Sequence, residues 1–244
     1  QTFLFMPRGT PVQTLPRDLL PVEPTKGPHH YRIVFHQIFP FPRETWENAP
    51  EQINDRINQL PPSLKDLLKH VESLATDQEI ARCLATNNTI RIASDGGAIP
   101  GRASYGWILQ IGPTQIAKGQ GPTHGDDPRS FRAEGYGFLS VARFLVRLQE
   151  FCQVQPQWRI QMMTDNAGLL TRISTSLPHV SPFPNTTLQA DWDVTNEIVT
   201  SIRELAVPPT LRHVKGHQDS HTPYAALSLE AQLNVDADAE AGEY

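Results

Sequence analysis

Apolar positions change their spacing twice along this chain. Through residues 1–45 they are interrupted by Pro7, Pro11, Pro16, Pro21, Pro24, Pro28, Pro40 and Pro42. Each proline lacks an N–H and restricts the residue before it, so neither a long helix nor a central strand survives there. His30–Phe39 is the one tract apolar enough for a short strand or a docked extended segment. From Trp46 to Leu60 and from Leu64 to Leu84 the spacing becomes three and four residues, as in Leu64, Leu67, Leu68, Val71 and Leu74. That periodicity predicts two or three short helices, with Ser63 placed as an N-cap behind Pro61 and Pro62.

From Thr89 onward short β-branched or aromatic runs alternate with helical stripes. Strands are predicted over Thr89–Ser94, Tyr105–Ile111 and Gln115–Gly119, a meander whose second turn holds Gly112 and Pro113. A helix over Ser130–Phe151 follows, then a strand over Arg159–Thr164 and helices over Asn166–Ser176 and Trp192–Leu205. A fifth strand, Thr210–Lys215, and a last helix, Leu227–Ala241, complete the series. The order βββαβααβα predicts an α/β domain with a mixed five-stranded sheet and helices on both faces. The chain therefore divides into a Pro-rich lead (1–45), a short helical connection (46–88) and a domain over 89–244.

Composition narrows the function. Half of the 22 prolines among 244 residues fall in the first 62, as the lead segment requires. The formal charge of −5 excludes a protein that grips nucleic acid by bulk charge, although a local patch can hide inside a negative total. Two cysteines, Cys83 and Cys152, are too few for a disulfide scaffold and match no zinc spacing. No apolar run approaches the ~18 residues of a membrane span, so no membrane partner is expected. Gln1 in first place reads as a fragment or a processed product, which leaves the cellular address unknown.

Four carboxylates stand where this topology would gather them. Asp95 ends the first strand, Glu134 lies in the opening turns of the first long helix, Asp165 ends the fourth strand, and Asp238 is on the last helix. Residues at strand ends line the crevice where α/β sheets bind ligands. Converging carboxylates raise one another's pKa values, and a divalent cation relieves the repulsion. An oxygen-rich, thiol-free set suits Mg²⁺ or Mn²⁺. Two such ions ~4 Å apart can activate water on one side of a phosphodiester and stabilise the leaving oxygen on the other. Phosphodiester hydrolysis is the chemistry these acids predict. His213, His217 and His221 stand four apart, but on a strand and loop that spacing does not converge on zinc.

The runs Ser94-Asp95-Gly96-Gly97, Arg132-Ala133-Glu134, Thr164-Asp165-Asn166, Val214-Lys215-Gly216-His217 and Asn234…Ala237-Asp238…Ala241 resemble type 1 ribonuclease H, in the form carried by retroelement polyproteins. The resemblance spans about residues 89–243 and implies the ribonuclease-H-like fold. It implies cleavage of the RNA strand of an RNA–DNA hybrid, leaving a 3′-hydroxyl and a 5′-phosphate. Asp95, Glu134, Asp165 and Asp238 would hold two Mg²⁺ ions, with Mn²⁺ able to substitute, and His217 would assist product or metal release or shuttle a proton. Asp236 competes with Asp238 for the fourth place, but the two point about 200° apart on a helix. The Asn-x-x-x-Asp match favours Asp238 and leaves Asp236 on a solvated face.

Hybrid contacts would come from Gly96 and Gly97, which admit the RNA backbone, and from Asn166 at a 2′-hydroxyl. Arg132 and Lys215 would meet phosphates, an ion pair being an equal account of them. Ser130 and Phe131 replace the two Asn that cellular enzymes commonly carry before Arg-x-Glu. Residues 177–190 hold no Lys or Arg, and 89–244 as a whole has 12 Lys and Arg against 16 Asp and Glu. A basic handle for the hybrid is therefore expected elsewhere, for instance on a reverse transcriptase domain of the same parent protein. The rival readings are another nuclease or transposase of the same superfold, and a catalytically inactive connection domain of a polymerase polyprotein.

Overall fold

The computed structural model describes Glu23–Pro24, Tyr31–Arg32 and residues 53–244 apart from 86–88, 126–127, 153–157 and 180–184. Contacts divide the chain into two units, Gln1–Pro50 and Glu51–Tyr244. In the first, β1 (Glu23–Pro24) pairs antiparallel with β2 (Tyr31–Arg32), which falls within the His30–Phe39 tract. The rest of that tract, and residues 46–52 of the predicted helix, lie outside the described residues.

The second unit opens with α1 (Ile53–Asn58) and α2 (Pro62–Lys65), the latter running into a 3₁₀ turn at Asp66–Leu68. Pro61 is the N-cap of α2, so Ser63 lies inside the helix and not before it. The predicted helical run to Leu84 is broken by β3 (Val71–Ser73), and only α3 (Asp77–Ala85) remains of its second half. Then follow β4 (Thr89–Ile99), β5 (Arg102–Ile111) and β6 (Thr114–Pro122). The long helix α4 (Ser130–Cys152) leads to β7 (Arg159–Thr164), α5 (Ala167–Ser176) and α6 (Trp192–Glu204). The chain closes with β8 (Thr210–His213) and α7 (Leu229–Glu243).

The sheet is mixed α/β with strand order β3-β6-β5-β4-β7-β8. β4, β5 and β6 form the antiparallel meander, while β4–β7 and β7–β8 are parallel. It has six strands and not five, because β3 pairs antiparallel with β6 in the register Val71↔Gly119, Glu72↔Lys118, Ser73↔Ala117. Spacing of three and four could not reveal this. A helix–strand–helix segment can carry the same apolar spacing, and only the unpaired N–H and C=O groups of the β6 edge select the strand.

Alternation along the strands separates two cores. Ile92, Leu109 and Met162 face a large cluster shared with Phe138, Phe144 and Leu145 of α4, Leu169 and Ile173 of α5, and Ile198 and Ile202 of α6. Their neighbours Ala93, Ile108 and Met163 face a smaller cluster with Leu233 and Ala237 of α7. Ile53, Ile57, Leu68 and Ile80 from before β4 join the large cluster. The Leu67 carbonyl accepts from Tyr105 Oη (3.0 Å) and Ser140 Oγ (2.7 Å), and Trp107 Nε1 donates to Ser140 Oγ (3.0 Å). Polar groups buried beneath α4 are thus satisfied by backbone from the segment ahead of the meander.

On the other face α7 lies close against β5. A Cβ on Gly106 would come within 2.4 Å of Ala241 N and 2.5 Å of Ala237 O, so only glycine allows the approach. Ser104 Oγ donates to the Ala241 carbonyl (2.6 Å), Lys118 pairs with Glu240 (2.9 Å) and Gln115 Nε2 donates to Asp236 (2.7 Å). These contacts set which residues of α7 lie at the strand ends.

Candidate active site

The parallel ladder between β4 and β7 ends at Ala93↔Met163. Asp95 follows two residues later, still inside β4, which continues to Ile99 on its β5 side with Asp95 opposite Gly106. Asp95 therefore sits where the neighbouring strand stops and not, as expected, where its own strand ends. Asp165 is the first residue beyond β7. Glu134 is the fifth residue of α4 and reaches this point from above the sheet. A Cβ on Gly96 would stand 2.3 Å from Ala133 C and Glu134 N, so Gly96 is the place where α4 meets the sheet. The Gly96 Cβ position is thus taken by the helix and leaves no room there for an RNA backbone. Gly97 has open space in that direction.

The result is one group of carboxylates. Asp95, Glu134 and Asp165 each offer an oxygen, and all three oxygens lie within 4.8 Å of one another. Asp95 is 6% and Glu134 5% exposed. Burial, followed by the charge of Asp165, pushes the Asp95 carboxyl up to about 6, against a hydrogen bond from the Gly96 N–H (2.7 Å). Burial, then the charges of Asp95 and Asp165, push Glu134 up to about 9, while the Thr164 hydroxyl donating to its Oε2 (3.0 Å) works the other way. Left alone, Asp95 and Glu134 cannot both ionise cheaply in this place. Two buried carboxylates and a third at the rim, with no sulfur or imidazole among them, form the donor set a hard divalent cation takes. The residues fit such an ion.

Among the described residues this is the one group of metal-ligating side chains that gathers, and it contains neither Asp238 nor a histidine. Asp238 is exposed on α7, near enough for its charge to raise Asp95 further. Asp236 is not on a solvated face: it accepts from Gln115 Nε2 (2.7 Å) and from Tyr224 Oη (3.0 Å), and so ties α7 to β6 and to the loop before it.

The loop after β8 is held against the site from below. Val214 N donates to the Thr164 carbonyl (3.1 Å) and His213 Nε2 bonds the Asp165 carbonyl (3.0 Å). Gly216 passes so close that a Cβ there would lie 2.1 Å from Asp165 Oδ2. His217 follows in a left-handed backbone conformation (φ 50°), exposed, with its charge lowering the Asp95 pKa. Lys215 is exposed beside it.

The remaining expected contacts are placed as follows. Asn166 caps α5, its Oδ1 accepting from Leu169 N (2.9 Å). Ser130 is exposed at the start of α4. Arg132 is engaged within the protein. Its guanidinium bonds Asp191 (3.0 Å), Asp193 (2.7 Å) and the His124 carbonyl (2.6 Å), and it stacks on Tyr136. Of its two accounts, the ion pair is the one observed. Sequence reasoning missed Thr164 and Gly216. Both stood in quoted motifs, but each was read only for its acidic or imidazole neighbour.

No protein-family model matches the chain, and no curated protein matches it. Solved structures similar to it include LC11-RNase H1 in complex with an RNA/DNA hybrid, at 16% identity over 63% of this chain and 94% of that one, with a TM-score of 0.44. RNase H1 from the halophilic archaeon Halobacterium salinarum is 16% identical over 64% of this chain and 96% of that one, with a TM-score of 0.41. The prototype foamy virus protease-reverse transcriptase is 17% identical over 64% of this chain and 20% of that one, with a TM-score of 0.46.

Proposed function

We propose that this chain is a ribonuclease H that hydrolyses the RNA strand of RNA–DNA hybrids with two Mg²⁺ ions, Mn²⁺ substituting. The observation that carries the reading is the convergence of Asp95, Glu134 and Asp165 within 4.8 Å at the end of a parallel strand pair. The motif resemblance adds the substrate. Asp95, Glu134 and Asp165 would hold the cations, with Asp238 the fourth acid at the open side. When bound, a divalent cation supplies charge neutralisation and acidifies water next to the phosphodiester.

The chain's own residues do the rest. Asp95 and Glu134 are buried, so bulk water is kept from the inner side of the site. His217, exposed on its loop next to Asp95, is the group placed to take or release a proton at an imidazole nitrogen. Asn166 has its Oδ1 committed to the α5 cap, which leaves the amide Nδ2 as the donor for a 2′-oxygen. Gly97 leaves room for the RNA backbone to approach.

Grip on the hybrid is the weak element. Lys118, Arg132, Arg143, Arg147 and Arg212 all pair with carboxylates of this chain. A neighbouring reverse transcriptase domain in a retroelement-derived parent would provide the missing positive surface. The test is a labelled RNA–DNA hybrid incubated with Mg²⁺ or Mn²⁺, beside the same RNA alone and as duplex RNA. Cuts in the hybrid's RNA strand, ending in 3′-hydroxyl and 5′-phosphate, are expected. Absence of cutting, or equal cutting of duplex RNA, would refute the reading and favour an inactive connection domain or another nuclease.

A further inference from the structure

We propose that Thr164 is a positioning residue whose hydroxyl holds the Glu134 carboxylate against Asp165, so that the third carboxylate stands in place before any cation arrives. The inference rests on reading the three acids as a divalent-cation site. Asp95 is placed by a paired strand and Asp165 by the strand end next to it. Glu134 alone must cross from a helix, on a long side chain with several free torsions to freeze. Its position needs a fixed partner.

Thr164 is the last residue of β7 and is wholly buried. Its Oγ1 lies 3.0 Å from Glu134 Oε2 and 3.2 Å from the Asn166 N–H. The Asn166 group can only donate, so the one hydroxyl proton is committed to Glu134. The Thr164 carbonyl meanwhile accepts from Val214 N at 3.1 Å. One residue thus joins the helix acid, the strand-end acid and the loop that leads to His217. A β-branched side chain with a single stiff torsion keeps the hydroxyl aimed. Valine has the same shape without the donor, and serine has the donor without the methyl.

Mn²⁺ binding to the full chain, measured by calorimetry without nucleic acid, tests this. Thr164→Val should weaken Mn²⁺ binding about tenfold or more, as the loss of a partner that orients a metal ligand does. Thr164→Ser should bind within about twofold of wild type, because the hydroxyl donor that orients Glu134 is retained. In a Glu134→Gln background Thr164→Val should change nothing further, since coupled residues are not additive. Thr164→Ala takes the place of the valine variant if the latter does not fold. Wild-type binding by the valine variant, equal loss in serine and valine, or the same loss in the Glu134→Gln background would each overturn the proposal. A hybrid left uncut by a chain that still binds Mn²⁺ would defeat the proposed activity and leave the Thr164 result standing.

Discussion

The two sides of the carboxylate site are built differently. Asp95, Glu134 and Asp165 come from a paired strand, a long helix and a strand exit, and two of the three are nearly sealed from water. Asp238 and His217 come from the last helix and from a loop in a left-handed turn, and both are exposed. Burial makes the first set electrostatically costly and therefore dependent on a counter-charge. Exposure leaves the charges of the second set screened by water. The same residue type thus does different work in the two halves. Under the proposed function the inner acids would be where charge is neutralised, and the outer groups would act at the open side.

Breaking the inner side should have the largest effect. Asp165→Asn is expected to lower hybrid cleavage at least about a thousandfold, the scale of several kcal/mol that metal-assisted charge stabilisation supplies. Its melting temperature should hold or rise. A variant that cuts at the wild-type rate would remove the distinction between the two sides. Gly216→Ala attacks the inner side through the outer loop. The new Cβ would stand 2.1 Å from Asp165 Oδ2 and displace that carboxylate, so Mn²⁺ affinity and cleavage should each fall about tenfold. Gly97→Ala, which meets nothing within 4 Å, is the control and should leave Mn²⁺ affinity unchanged.

On the outer side the comparison is between two acids of one helix. Asp238→Asn should slow cleavage by less than Asp165→Asn, about tenfold, because its charge acts through water. Asp236→Ala should leave the rate alone and instead cost about 1 kcal/mol in urea unfolding through lost bonds from Gln115 and Tyr224. The opposite ranking would exchange the roles of the two residues.

The inner side also sets how stability depends on pH. Both inner carboxyls have folded pKa values above their ordinary ones, Asp95 rising from 3.8 to about 6 and Glu134 from 4.5 to about 9. The folded state therefore holds protons that the unfolded chain releases. Stability is greatest below the ordinary values and is lost as pH rises through about 6 and then about 9. Melting of the metal-free protein should fall across that window, and Asp95→Asn with Glu134→Gln should flatten the fall. A metal-free protein that gains stability from pH 5 to pH 9 more than the double variant does would contradict the burial of these two groups.

The sequence was readable where chemistry is carried by residue type at a strand or helix end. Asp95, Glu134, Asp165 and Asp238 stood out because short β-branched runs and helical stripes predicted from the sequence end or begin beside them. The reading was poorer where one residue serves another. Gly96 looked like an opening for the RNA backbone, and its space is taken by α4. Arg132 was open between a phosphate and an ion pair, and is bonded to Asp191 and Asp193, some sixty residues away. Asp236 looked solvated and is held by Gln115 of a distant strand. In each case the partner lies far along the chain, where local spacing carries no information.

Local pattern alone determined the alternation of strands and helices after Thr89, the α/β class and the set of four candidate acids, because these follow from backbone periodicity and side-chain chemistry within short windows. Tertiary structure decided that residues 71–73 form a sixth strand, that the Leu67 carbonyl satisfies buried groups of β5 and α4, and that a threonine hydroxyl holds Glu134. Those outcomes depend on which unpaired polar groups meet once the sheet has closed, and such meetings are properties of the packed chain as a whole.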